Sequence, residues 1–256
     1  MIASRPPRYV ELQCASHFSF LRGASSCEEL FSQAAVCGLE ALAVTDRNSL
    51  AGIVRAHVAA KVTGVRLIVG CRLVLEDGAE LLVSPRDRPA YSRLCRLLTL
   101  GKRRGGKGAC RLGWDDVAAH AEGLVAVLIP ERADAVLRRR LGLMAGIFHR
   151  EAHLALTLLR RPRDQLRLHQ LSEMAAEAGV ATVVTNDVLF HHPDRRILQD
   201  VVTCIREGCT IDDVGFRRNR TADRHLKPVE EMHRLFARYP EALAQTLAIA
   251  DRCRFS

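Results

Sequence analysis

Short apolar segments alternate with longer helical patterns along most of this 256-residue chain, and this alternation restricts the possible folds most strongly. Residues 9–15, 41–45, 124–129, 153–158 and 180–185 are predicted to be strands. They are apolar throughout, as expected for strands covered on both faces. Strands that alternate with helices predict parallel pairing through crossover helices, so we expect an α/β fold. An open doubly wound sheet and a closed β/α barrel both fit this pattern.

The signals for helices and turns support the same alternation. Ser26, with Glu29 three residues later, is typical of a capping box at a helix start, and Gly38 is placed to end that helix. Asp77-Gly78 predicts a hairpin between residues 66–75 and 80–84. Further helices are predicted at 49–62, 91–100, 133–141, 162–178, 195–207 and over most of 228–252.

Composition narrows the class of protein. The net charge is +9, which favours polyanionic partners, although scattered arginines on amphipathic helices also make an ordinary solvated surface. The nine cysteines form no C-x-x-C pair, so we interpret them as reduced and mostly buried. No segment is long and apolar enough to span a bilayer, and the first residues lack the apolar core of a secretory signal. We therefore expect a cytoplasmic protein.

Residues 101–108, with the sequence GKRRGGKG, come close to a phosphate-binding P-loop. Gly108 stands where that motif requires a magnesium-binding hydroxyl, and the preceding segment is predicted to be a helix rather than a strand. The interpretation we favour is a flexible basic loop that contacts a DNA backbone, with an ordinary exposed loop as the alternative. The basic side chains are Lys102, Arg103, Arg104 and Lys107.

Polar residues follow four of the apolar segments, at the strand ends where β/α folds build their sites. The segments are ELQCASHFSFLRG at 11–23, ALAVTDRNSLAG at 41–52, VRLIVGCR at 65–72 and VVTNDVLF at 183–190. In this order they resemble the strand ends of the PHP (polymerase and histidinol phosphatase) domain. The resemblance covers residues 9–256.

Further motifs resemble the error-prone branch of the C-family bacterial DNA polymerases. They are SFLRGAS at 19–25, TDRN at 45–48, LLTLGKRR at 97–104, LKPVEEMHRLF at 226–236, YPEA at 239–242 and IADRC at 249–253. The resemblance implies a distorted PHP-type β/α barrel with parallel strands and outer helices, plus a C-terminal helical extension. It divides the chain into an N-terminal tail at 1–8, a PHP domain at 9–210 and, at 211–256, a helical linker toward a polymerase core.

The active family site holds metal ions on histidine and carboxylate ligands, and this chain departs from that pattern. The resemblance places the first ligands at Glu11, Gln13 and Ala15. An Asp-His pair falls on Asp46 and Arg47. Alanine has no lone pair to offer, and a guanidinium group cannot be deprotonated to bind a cation.

The remaining ligand positions are altered as well. A family glutamate falls on Arg72, and an Asp-x-His pattern falls on Asp187 and Leu189. We expect Asp46 and Asp187 to pair with Arg47, Arg72 or neighbouring backbone donors, and His17 to be a hydrogen-bonded structural residue. The sequence therefore predicts a vestigial site with no catalytic residue and no bound metal.

Three functional hypotheses follow. The first is a non-catalytic PHP module of an error-prone polymerase that acts in damage-induced translesion synthesis. Its parent would need magnesium and catalytic aspartates located outside this segment. The second is an active metal-dependent phosphoesterase or 3′–5′ exonuclease. The third, compatible with the first, is a DNA-binding module that uses the basic loop. By resemblance, the partners of the parent protein are DNA, a sliding clamp and mutagenesis accessory proteins.

Overall fold

A computed structural model describes residues 7–158 and 160–255. In this described part, seven strands form one sheet in sequence order, and all neighbouring pairs are parallel except those that involve the fourth strand. The strands are β1 Glu11–Cys14, β2 Ala41–Arg47, β3 Arg66–Val74, β4 Glu80–Pro85, β5 Leu124–Ile129, β6 Ala152–Leu156 and β7 Ala181–Val184. The predicted hairpin is confirmed, since β3 and β4 are antiparallel around Gly78.

The sheet curls until its two edges meet. Val188, just after β7, forms a parallel bridge with Cys14 at the end of β1. Its N–H donates to the carbonyl of Gln13 at 2.8 Å, and its own carbonyl accepts the N–H of Ala15 at 2.9 Å. The α/β class and the distorted barrel predicted from the sequence are confirmed. Closure places the ends of β2, β3 and β7 around one opening.

Helices surround the sheet. Their bounds are α1 Cys27–Val36, α2 Ile53–Thr63, α3 Arg88–Gly105, α4 Trp114–His120, α5 Ala135–Phe148, α6 Asp164–Glu177, α7 Arg196–Glu207, α8 Val229–Leu235 and α9 Pro240–Arg252. The capping box of Ser26 and Glu29 at the start of α1 is confirmed. The short helix α4 was not predicted. In the described part of the chain, no helix has the length and apolar character needed to cross a membrane.

The C-terminal helices belong to the packed structure. Alternate residues of the strands form an inner apolar cluster, and Ile249 and Ala250 of α9 pack into it together with Cys253, which follows the helix. The carbonyl of Cys253 accepts Nη1 of Arg66 at 3.1 Å, at the start of β3. Helix α9 therefore closes the amino end of the barrel. The helical extension predicted at 211–256 therefore packs against the barrel, and its role as a linker toward a polymerase core stays a prediction.

The basic segment at 101–108 also differs from its prediction. Helix α3 continues through Gly105, so Lys102, Arg103 and Arg104 lie on its exposed last turns rather than in a loop. A Cβ atom on Gly101 would lie 2.6 Å from Sγ of Cys110, which explains why this helical position holds a glycine. A P-loop places phosphate at a helix N-terminus, whereas this segment forms a helix C-terminus with the opposite partial charge.

Candidate functional site at the mouth of the barrel

The carboxyl end of the barrel is polar, in contrast to the end that α9 closes. Arg47, Arg72 and Glu80 have the same strand parity as the inner residues of β2, β3 and β4, so their side chains continue the inner face into the opening. Asp187 reaches the same opening from the segment after β7. We call this opening, with the residues around it, the mouth.

Arg72 is the centre of an ion-pair network in the mouth. Its Nη1 donates to Oδ1 of Asp187 at 3.0 Å, and its Nε donates to Oε2 of Glu80 at 2.8 Å. Arg47 lies 3.9 Å from the second oxygen of Glu80. Of the partners predicted for Asp187, Arg72 is the arginine that pairs with it. One guanidinium group thus joins β3, β4 and the segment that closes the barrel.

Asp187 is held from several directions. Its backbone has a φ of 49°, in the left-handed region that residues other than glycine rarely adopt. Arg224 forms an ion pair with its carboxylate, and Nε of Arg224 donates to its backbone carbonyl at 2.9 Å. Burial alone would raise the pKa of Asp187, but Arg224 and Arg72 outweigh burial and hold that pKa below its usual value.

Asp46 has different partners, although it matches the family pattern. Its carboxylate accepts the N–H and the hydroxyl of Ser16, both at 2.8 Å, and pairs with no arginine among the described residues. Gly52 lies so close that a Cβ atom there would be 2.7 Å from the carboxylate. Burial raises the pKa of Asp46 to about 7, and the hydrogen bonds from Ser16 only partly oppose this shift.

Glu11 forms a second buried carboxyl site. It accepts the hydroxyl of Tyr9 at 2.7 Å and the backbone N–H groups of Gln13 and Asn186 at 2.8 and 3.2 Å. Burial raises its pKa to about 7, opposed by these hydrogen bonds and by Lys227. Nζ of Lys227 donates to Oδ1 of Asn186 at 3.0 Å. Glu11 therefore connects β1 to the segment after β7.

The other predicted site residues place no polar group in the mouth. Ala15 and Leu189 pack in a small apolar cluster. His17 is exposed, and its ring lies 3.3 Å from the carbonyl of Ser25. Gln13 is buried, and neither atom of its amide has a hydrogen-bond partner among the described residues.

The residues present do not fit the metal cluster of the active family site. Within residues 7–158 and 160–255, no group of three histidine, cysteine, aspartate or glutamate side chains is placed to hold an ion. Arg47 and Arg72 bring permanent positive charge to the mouth, at two positions where the resemblance places metal ligands. The retained aspartates are committed elsewhere, because Asp46 is bonded to Ser16, and Asp187 to Arg72 and Arg224.

Several arginines of the mouth were missed by sequence reasoning. A cavity of about 140 Å³ lies beside the network and is lined by Arg22, Arg206, Arg217 and Arg224 in addition to Arg47 and Arg72. A larger cavity of about 420 Å³ shares Arg72, Asp187 and Arg224 with it. These arginines come from loops and from α7, far apart in sequence, so only the fold brings them together. Lys102, Arg103, Arg104 and Lys107 line neither cavity.

Comparison with known proteins gives a consistent result. The model of a family described as "PHP domain" matches residues 11–183. The chain is 64% identical over 250 residues to error-prone DNA polymerase 1 of Agrobacterium fabrum, and 47% identical over 253 residues to an error-prone DNA polymerase of Caulobacter vibrioides. Each match covers 98% of this chain but only 23% of the relative. The chain therefore spans about a quarter of the length of these relatives.

A solved structure shows the same fold at low sequence identity. It is an amidohydrolase from Chromobacterium violaceum, with bound sulfate and no metal. It is 15% identical, has a TM-score of 0.52, and the match covers 71% of this chain and 88% of that one.

We predict that Asp46 makes folding stability depend on pH. Its folded-state pKa of about 7 exceeds that of an unfolded aspartate, so between about pH 4 and 7 the folded chain binds more protons than the unfolded chain. The stability from the protonated group is present below about pH 4 and is lost as the pH rises through 7. In urea titrations, Asp46→Asn should gain about 1–3 kcal/mol relative to the parent chain between pH 5 and 8.

Asp212→Asn is the control for this experiment, because Asp212 is an exposed carboxylate. Its unfolding free energy should follow that of the parent chain within about 0.5 kcal/mol at every pH. A difference between Asp46→Asn and the parent that does not change with pH would contradict the raised pKa.

Proposed function

The chain belongs to the PHP domain family, and from this premise we propose that it is a non-catalytic, structural module of an error-prone DNA polymerase. The parent enzyme would extend a primer 3′ end with magnesium bound outside this segment. High identity to polymerases about four times as long supports the parent function. The arginines at two metal-ligand positions support the absence of catalysis in the module.

The observation that carries the structural role is the reversed amphipathicity of α7. Its inward face is polar, because Gln199 and Thr203 line the cavity of the mouth. Its outward face is apolar: Ile197 is 77% exposed and Ile205 is 61% exposed, with Leu198 and Val201 partly exposed beside them. A helix of a free-standing globular domain normally has the opposite arrangement. This outward face, defined by these four residues, is the α7 apolar face.

A further exposed apolar residue, Ile211, lies beside the α7 apolar face. Val201, Ile205 and Ile211 line a shallow groove beside the helix. Contiguous exposed apolar surface of this kind marks an interaction site. We assign the α7 apolar face to contact with the polymerase core. The additional chain in the relatives is about three times as long as this domain and would lie next to it.

The proposal extends to the setting of the parent protein. It would act on damaged DNA in the cytoplasm, with a sliding clamp and mutagenesis accessory proteins as partners of regions outside this segment. Lys102, Arg103 and Lys107 are exposed and are available for contact with the DNA backbone, whereas Arg104 already pairs with Asp116 at 2.7 Å.

We predict that Ile205→Glu separates the stability of the domain from the function of the parent enzyme. In the 256-residue chain, the unfolding free energy should change by less than about 0.5 kcal/mol, because the side chain is exposed. In the full-length polymerase, primer extension should fall about ten-fold or more, since a charge would be buried against the core. In the full-length Ile205→Glu variant, thermal unfolding should also show separate transitions for the domain and for the core.

Leu166→Glu on α6 is the matched control, since Leu166 is 49% exposed and lies on another helix. It should leave primer extension unchanged. Equal losses in both variants, or none in Ile205→Glu, would exclude the α7 apolar face as the contact with the core.

A nuclease assay tests the proposed lack of catalysis. The 256-residue chain, supplied with Mn²⁺ or Zn²⁺, should release no more nucleotide from a DNA 3′ end than a blank without protein, because the donor set for a metal cluster is missing. Metal-dependent release that Asp46→Asn abolishes would establish the alternative function, an active PHP exonuclease.

A further inference from the structure

The mouth has more positive charge than its own carboxylates neutralise. Six arginines line the smaller cavity, and Asp187 is the one acidic side chain among the residues that line it. Two further carboxylates pair with these arginines, Glu80 with Arg72 and Glu207 with Arg206, so six arginines face three carboxylates. Guanidinium groups gathered around a partly enclosed space repel one another, and an anion that bridges them would remove this repulsion.

Arg22 shows the excess of positive charge most clearly. It is partly buried, and its guanidinium group has no hydrogen bond or ion pair with any described residue. Burial, together with the nearby positive charges of Arg47, Arg206 and Arg72, lowers its pKa to about 10. A partly buried cation without a partner is costly unless a ligand supplies the opposite charge.

Other donors are arranged around the same cavity. Ser19 is buried, and its hydroxyl accepts the backbone N–H of Arg47 at 3.2 Å, which leaves the hydroxyl proton with no acceptor among the described residues. Nη1 of Arg206 donates to the carbonyl of Leu21 at 3.0 Å, and its Nε donates to Glu207 at 3.0 Å. These bonds fix the side chain beside the turn that carries Arg22 and leave Nη2 without a partner among the described residues. Donors from three separate elements therefore point into one small space.

We propose that the mouth binds a phosphoryl dianion without a metal ion, with Arg22, Arg47 and Arg206 as its charged ligands and Ser19 as a neutral donor. A tetrahedral dianion accepts hydrogen bonds from several directions, which matches donors on a turn, on β2 and on α7. Arg72 and Arg224 are already bonded to Asp187 and fix the wall of the site. The proposal does not depend on the role of the α7 apolar face.

The test is calorimetric titration of the 256-residue chain with inorganic phosphate, in chloride buffer that contains EDTA. Saturable binding with one site per chain is expected. Arg22→Gln and Arg206→Gln should each weaken binding about ten-fold or more, because each removes charge-assisted hydrogen bonds. Arg103→Gln, which removes the same charge from an exposed turn of α3, should change the affinity less than about two-fold.

Several results would overturn the proposal. One is the absence of saturable binding. Another is equal weakening by Arg103→Gln, which would indicate attraction by net charge alone. A third is binding that requires added Mn²⁺ or Zn²⁺. Circular dichroism of each variant confirms that it folds, and Arg22→Lys provides a second variant that keeps the charge and should bind more tightly than Arg22→Gln.

Competition between inorganic phosphate and larger phosphoryl compounds tests which kind of molecule the site binds. Displacement of phosphate by deoxyadenosine monophosphate would support a small-molecule ligand. Displacement by an oligonucleotide with a 5′-phosphate, but not by the same oligonucleotide without it, would support a DNA end. Equal displacement by both oligonucleotides would contradict a site for a dianion, because only phosphodiester groups are common to the two.

Discussion

The ion pair between Arg72 and Asp187 connects the middle of the sheet to the edge that closes it. Arg72 extends from β3 and is also bonded to Glu80 of β4, while Asp187 precedes the bridge between Val188 and Cys14. Both side chains are largely buried, with exposed fractions of 20% and 13%. The left-handed backbone of Asp187 persists because Arg224 and Arg72 hold it in place. Both residues also line the smaller cavity, so the shape of the mouth depends on this connection.

Much of the fold follows from sequence patterns alone. Apolar strands, the capping box at Ser26 and the turn at Gly78 are local signals, and each predicted its element correctly. The assignment of Arg47 and Arg72 to metal-ligand positions rests on the resemblance and stays a prediction. The pairing of Arg72 with Asp187 could be anticipated because an unpaired buried carboxylate is costly.

The rest depends on tertiary contacts that have no local signal. The reversed amphipathicity of α7 arises because its inner face meets a polar cavity rather than the core. The pattern of Ile197 and Ile205 predicts a helix but not which face is buried. In the same way, the apolar residues of α9 are typical of any helix, and only the open end of the barrel determines where they pack. Arg22, Arg206 and Arg224 are separated in sequence and meet only through closure of the sheet.

The central claim is that the Arg72–Asp187 pair stabilises the barrel where the active family site would hold metal ions. A double-mutant cycle on the unfolding free energy, with Arg72→Met, Asp187→Asn and the combined variant, measures their coupling directly. We predict a favourable coupling of about 1–3 kcal/mol for this largely buried pair, against less than about 0.5 kcal/mol for the exposed pair Arg8 and Glu40. A coupling no larger than that of the exposed pair would contradict the claim.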